Sequence, residues 1–324
     1  MKKRGIGIFL SVLCASVFLG GCGVLPFKEK AFYSKDGQKA ADAKTAAVET
    51  PSESIPEPTE VPVEQKEDES AVNMQKVLDK AHLMSVQYDY DGAIQYLKEQ
   101  PEYEATQAYK EAVVQYENIK ATCVEYPLEE VTHVFFHTLI VDTSKAFDGD
   151  SDEAGYNQMM TTVSEFNKIM QSMYDKGYVL VSPHDMAVVN EDGTMSRGKI
   201  MLPPGKKAFV LSQDDVSYYH YMDGDGFASK MVLDENGDVK CEYIQDDGTV
   251  LVGDYDMVPL LDGFVKANPA FSYHGRKGIL AMTGYNGVFG YRTDSAYKTG
   301  ENLQDNQKEF LENNPDFNFD EEVE

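Results

Sequence analysis

An alternation of strand-like and helix-like segments, beginning at Val131, constrains this fold more than any other feature. "VTHVFFHTLIV" is β-branched and aromatic and predicts a buried strand. Residues Asp150 to Lys176 carry Met159, Val163, Phe166, Ile169, Met170 and Met173 at helical spacing, and Gly177 closes that segment. "YVLVS" and then Lys206 to Ser212 predict two more strands. Strands separated by helices cannot pair as hairpins, so the alternation predicts an α/β domain with parallel strands. A meander follows, with turn signals at Asn236-Gly237 and Asp247-Gly248. A short helix at Asp256 to Lys266, a strand in "KGILAMT" at 277–283 and a Gly/Tyr-rich loop complete the pattern.

The strand from Lys206 runs into Ser212-Gln213 and two adjacent acids, Asp214 and Asp215. Functional residues of α/β folds gather at the carboxyl ends of strands. Neighbouring residues on a strand end point in different directions, so the two acids cannot share one job. One carboxylate as metal ligand and one as base suits metal-assisted hydrolysis. The plainer alternative is a solvated loop start in an acidic protein.

The chain is acidic indeed, with 55 acidic against 29 basic residues and a formal net charge of −26. That balance argues against nucleic acid as a partner, because phosphate contacts need a basic face. At the start, Lys2-Lys3-Arg4 precede an apolar run from Ile6 to Leu19 and then "LGGC". This resembles a bacterial lipoprotein signal. The resemblance implies removal of residues 1–21, lipid attachment at Cys22 and a protein exported to the outer face of the cytoplasmic membrane. Residues 22–70 read as a disordered tether. Within it, 49–70 holds four prolines and eight acids against one lysine and has no apolar period. Residues 71–122 predict a small helical module, with Val77, Leu78, Ala81 and Met84, then Ala93, Ile94 and Leu97, then Ala112, Val113, Tyr116 and Ile119 as inward faces. It resembles tetratricopeptide repeats, and packing on its neighbour is the expected role. Cys14 leaves with the signal, so Cys123 and Cys241 remain beside Cys22; they allow one disulfide without demanding it.

Across 127–324 the order of features points further. Phe136-His137 ends the first strand, Lys176-Gly177-Tyr178 opens the second, Leu202-Pro203-Pro204-Gly205-Lys206-Lys207 precedes the third, and Ser212-Gln213-Asp214-Asp215-Val216 ends it. This resembles the polysaccharide deacetylase family with the NodB homology domain, carbohydrate esterase family four. The resemblance implies a partial (β/α) barrel and metal-dependent removal of N-acetyl groups from cell-wall or surface glycans. It implies Asp214 as catalytic base and Asp215 as ligand of a divalent metal, with zinc the expected ion. Two departures stand at the motif: Gln213 replaces an aromatic and Val216 a glycine, so the loop must turn differently. The family's later histidine pair has no counterpart, since His220 and His274 alone follow Asp215. His133 and His137 have His-x-x-x-His spacing and share a face, but in the first strand, where core and site floor are expected. Arg292 reads as a loop salt bridge. The "NPDFNFDEEVE" end reads as a helix start, Asn318 capping with Glu321, and suggests a chain that stops before its second motif. The alternative function is an inactive glycan-binding lipoprotein whose Tyr218, Tyr219 and Tyr221 stack on sugar rings.

Overall fold

The computed structural model describes residues 69–324. The signal segment, Cys22 and the tether up to residue 68 lie outside the described residues. No described helix is long and apolar enough to cross a membrane.

Three helices open the described chain: α1 (Glu69–Val86), α2 (Tyr90–Lys98) and α3 (Gln107–Thr122). Tyr88 turns the chain at φ 68°, and Asp89 caps α2 by accepting a hydrogen bond from Gly92 N. The third helix begins later than Glu102, because Pro101–Tyr103 forms a 3₁₀ turn and Thr106 supplies the cap. Ala81, Ala93, Ile94, Leu97, Tyr109 and Tyr116 form one cluster that also contains Val179, Val181, Ala208 and Val210 of the α/β region. The helices therefore spend their apolar faces on the sheet, and the described residues belong to one compact unit.

The α/β region is a mixed α/β fold with open sheets. Its first strand is β1 (Thr132–Phe136). The helical segment that follows is broken in two, α4 (Glu153–Met159) and α5 (Val163–Asp175), where one continuous helix was expected. Ile140 causes the break. Its N–H donates to Thr161 O, and its carbonyl accepts from Val163 N. Thr162 then caps α5 in a capping box with Glu165. Strands β2 (Tyr178–Leu180) and β3 (Lys207–Asp214) come next. The meander is β4 (Lys230–Leu233), β5 (Val239–Ile244) and β6 (Val250–Gly253), antiparallel and turning at the expected glycines. Helix α6 (Met257–Ala267), capped by Asp256, leads to β7 (Ile279–Ala281).

Strand β3 is the axis of the main sheet. One edge pairs with β1, Thr132 opposite Phe209 through Phe136 opposite Gln213. The other edge holds β2 along Lys207–Phe209 and β7 along Ser212–Asp214. All three pairings are parallel, as the alternation required. One face carries Phe209 and Leu211 against Phe166 and Met170 of α5 and Met257, Leu261 and Val265 of α6. The opposite face carries Ala208 and Val210 against the three helices. The sandwich is thus helix, sheet, helix at the amino end of β3 and open at its carboxyl end.

The expectation of a buried first strand is corrected. β1 lies at the sheet border, and Thr132, His133 and Phe135 are exposed while Phe136 is buried. After β7 the chain forms α7 (Ser295–Thr299), α8 (Asp305–Asn313) and α9 (Phe319–Val323). Asn318 caps α9 through Asp320 N and donates to Glu321. Glu322 ties α9 inward by accepting from Arg292 N and pairing with Lys230. Cys123 and Cys241 are free thiols in separate clusters, so the allowed disulfide is absent.

Candidate functional site

Side chains of β1 at 133 and 135 share a face with residues 210 and 212 of β3, because paired residues of parallel strands point the same way, and Asp214 follows on that face. His133 Nε2 lies 2.9 Å from Ser212 Oγ, and Ser212 Oγ donates to Asp214 Oδ1 at 3.2 Å. The serine has a single hydrogen and gives it to Asp214, so His133 must donate through its Nε2–H. The chain of contacts fixes one oxygen of Asp214. No donor among the described residues meets the other. Asp215 Oδ2 stands 3.9 Å from His137 Nε2. That is too long for a hydrogen bond. The two acids thus have separate partners.

The turn beyond them answers the missing glycine. Asp215 takes the left-handed conformation itself, at φ 56°, and Tyr218 repeats it at φ 48°. Val216 between them is fully buried, so an apolar side chain replaces the glycine by filling the core. Each left-handed non-glycine residue costs about 1–2 kcal/mol, so other bonds must hold the loop. Asp215 N donates to Ala281 O, Phe289 N to Val216 O and Ser217 Oγ to Gly287 O. Gly287 has φ 118°, and a Cβ there would lie 2.0 Å from Tyr291 O, so this brace admits only glycine. Arg292 completes the brace by donating to Ser217 O and Tyr218 O at 3.2 and 2.8 Å. It is buried, and Asp223 stands 4.0 Å away at its rim. The expected loop salt bridge is therefore chiefly a clamp on backbone carbonyls.

Asp256 is the residue that sequence reasoning missed. It is fully buried and accepts four hydrogen bonds. Leu139 N and Met257 N donate to Oδ1 at 3.0 and 2.8 Å; Gln213 Nε2 and Tyr218 Oη donate to Oδ2 at 2.7 and 2.6 Å. Burial pushes its carboxyl above the usual range, and these donors pull it back. One carboxylate therefore ties the end of β1, the end of β3, the turn after it and the start of α6. It also accounts for Gln213, whose amide serves Asp256 where the family motif has an aromatic. The signal was legible as an acid before an apolar helix, but a cap alone does not disclose four partners.

Tyr218 is buried on Asp256, so it does not belong to an exposed aromatic strip. Tyr219 and Tyr221 do, and Tyr285 joins them instead. Among the described residues, one group of three acids, Asp150, Asp152 and Asp225, brings its carboxylate oxygens within 4.8 Å of one another and could hold a metal ion. An all-oxygen set suits a hard cation such as calcium or magnesium better than zinc. Asp215 and His137 form the carboxylate–imidazole pair that suits zinc. Oxygen and nitrogen ligands of one tetrahedral zinc lie about 3.3 Å apart, so at 3.9 Å this pair would have to close by about half an ångström to share an ion. A catalytic zinc needs three protein ligands, and the described residues bring no third to this pair. They therefore do not fit a complete zinc centre. Comparison with family models, with curated proteins and with solved structures returns no match.

Proposed function

We propose that this chain is a surface lipoprotein of the polysaccharide deacetylase type, acting on N-acetylated cell-wall or surface glycans. One observation carries the reading. Two acids with separate neighbours leave the carboxyl end of the central parallel strand, on a sheet whose faces are covered by helices towards the amino end of that strand. The sheet of β1, β2, β3 and β7 would be one sector of the family's (β/α) barrel. Asp214 is the base, its carboxylate oriented through Ser212 and His133 with one oxygen free to take a proton. Asp215 is the metal-binding acid, with His137 beside it. Because the ligand set around Asp215 is short of three, the 324-residue chain binds zinc weakly and turns over negligibly. The incomplete set also favours a second reading, an inactive glycan-binding lipoprotein.

Equilibrium dialysis with zinc and acetate release from chitooligosaccharides separate the two. Chelator-sensitive acetate release that disappears in Asp214→Asn with metal retained, and in Asp215→Asn with metal lost, establishes the enzyme and the assigned roles. Weak zinc binding that Asp215→Asn abolishes, without acetate release, supports the metal-binding role in a chain that does not turn over. Acetate release indifferent to both substitutions overturns the proposal.

A further inference from the structure

A cavity of about 490 Å³ opens between the 222–228 loop, strands β4 and β5 of the meander, and helices α8 and α9. That volume suits a small molecule rather than a lone ion. Most of the charges lining it are paired. Lys145 meets Asp246, and Lys230 Nζ lies 3.3 Å from Glu322 Oε1. The other oxygen of Glu322 accepts from Arg292 N at 3.0 Å. One charge of each sign is left over among the described residues. The Arg292 side chain is only 8% exposed. Its Nη1 donates to Ser217 O and Tyr218 O, but Nη2 makes no hydrogen bond. The nearest carboxylate, Asp223, stands 4.0 Å off and is itself 54% exposed to water. The Nη2 edge is not sealed in the core and opens on the cavity. Glu242 is the opposite case. It lies directly across from Lys230 in the β4–β5 ladder, yet Lys230 goes to Glu322. The half-buried Glu242 carboxylate therefore lines the cavity with no ion pair and no hydrogen bond of its own.

We propose that this cavity binds a small zwitterion with an apolar body, a free amino acid or a dipeptide, whose carboxylate takes the open Nη2 edge of Arg292 and whose ammonium meets Glu242. A guanidinium offers its donors as a planar fork that matches a carboxylate, and the match is worth more where water is excluded. A dianion such as phosphate would satisfy Arg292 but face four lining acids, Asp223, Glu242, Asp246 and Glu322. A simple amine would satisfy Glu242 and leave Arg292 unmatched. A ligand carrying both signs answers both. Phe227, Tyr243 and Phe310 line the same cavity and give its body apolar contact. The proposal uses neither Asp214 nor Asp215, so it does not rest on the deacetylase reading.

The full chain is titrated by calorimetry with L-leucine, L-phenylalanine and L-leucyl-L-leucine, each to about 10 mM, and with inorganic phosphate. At least one of the three zwitterions should bind with a Kd below about 1 mM. Its N-acetyl form, which lacks the ammonium, and its C-terminal amide, which lacks the carboxylate, should each bind about tenfold more weakly or worse. Glu242→Gln should weaken the zwitterion by about tenfold and leave the N-acetyl form unchanged, because that form has no ammonium to lose. Arg292 is left in place because it also clamps the β3 turn, and the amide form probes its role instead. Tighter binding of the dipeptide than of the amino acids assigns a peptide, and the reverse order assigns a free amino acid. Silence from all three zwitterions overturns the proposal. So does a blocked form that binds as well as its parent compound, a Glu242→Gln chain that binds as the parent chain does, or phosphate as the tightest ligand.

Discussion

From Ala208 to Leu211, β3 is apolar and buried on both faces, three helices pressing one side and α5 and α6 the other. From Ser212 to Asp215 the same strand is polar and ends in a left-handed turn. The first half gains about 1.5–3 kcal/mol for each large side chain it buries. The second half gains about 1 kcal/mol net per hydrogen bond and loses a similar amount at its left-handed residue, Asp215. One strand thus anchors the fold at one end and presents chemical groups at the other. The rigidity of the first half is what lets the second keep a strained turn.

The strongest way to break this contrast is to remove mass from the anchored half. Phe209→Ala should cost about 3–5 kcal/mol by urea denaturation, because the ring is fully buried between Tyr178 and Phe271. Asp214→Asn, five residues on, should change stability by under about 1 kcal/mol. Similar losses at both positions would mean that the carboxyl end is itself a structural core.

Asp256 sits between the two regimes and should give the next largest effect. Asp256→Ala leaves four buried donors without an acceptor and should cost about 3 kcal/mol or more. Asp256→Asn should recover most of that. Its carbonyl still serves Leu139 and Met257, and Gln213 can rotate its amide to offer Oε1, which has no partner now, to the new NH₂ group. If Asn is as damaging as Ala, the buried charge rather than the hydrogen-bond count holds the loops together.

How much of this was legible in the sequence follows the same division. The anchored half was read more closely, because apolar runs and turn glycines act locally: the parallel strands and the meander stand where periodicity put them, while the third helix starts at Gln107 rather than near Glu102 and the 150–176 segment is two helices. The exposed first strand was misread because Val134 and Phe136 alternate with His133 and Phe135, and the aromatic character of Phe135 concealed which face it served. Helix α7 was missed because its five residues are too few to show a helical period, and α8 because "ENLQDNQKEFLEN" is polar, with Gln307 rather than an apolar residue as its buried contact. At the site, the acid pair and its strand were legible. Asp256, Arg292 and Tyr285 were not, because each acts on residues more than 30 positions away and no local pattern records that.

The smallest expected effect tests the strained turn directly. At φ 56°, Asp215 occupies a region that glycine enters freely and alanine does not. Asp215→Gly relieves about 1–2 kcal/mol of local strain but adds about 0.5–1 kcal/mol of unfolded-chain entropy. The net should be a gain of a few tenths to about 1 kcal/mol, seen as a higher urea midpoint at constant m. Asp215→Ala keeps the strain and loses the aspartate's tolerance of this conformation, so its midpoint should fall. The expected stability order is therefore Gly, Asp, Ala, while zinc binding should be lost in both variants because His137 then has no acid beside it. A stabilised protein with weaker zinc binding than the parent would support the metal-binding role proposed for Asp215 and a turn kept for that role. If Asp215→Gly instead destabilises by more than about 1 kcal/mol, the carboxylate is part of the scaffold, and the line drawn across β3 at Ser212 belongs further along the chain.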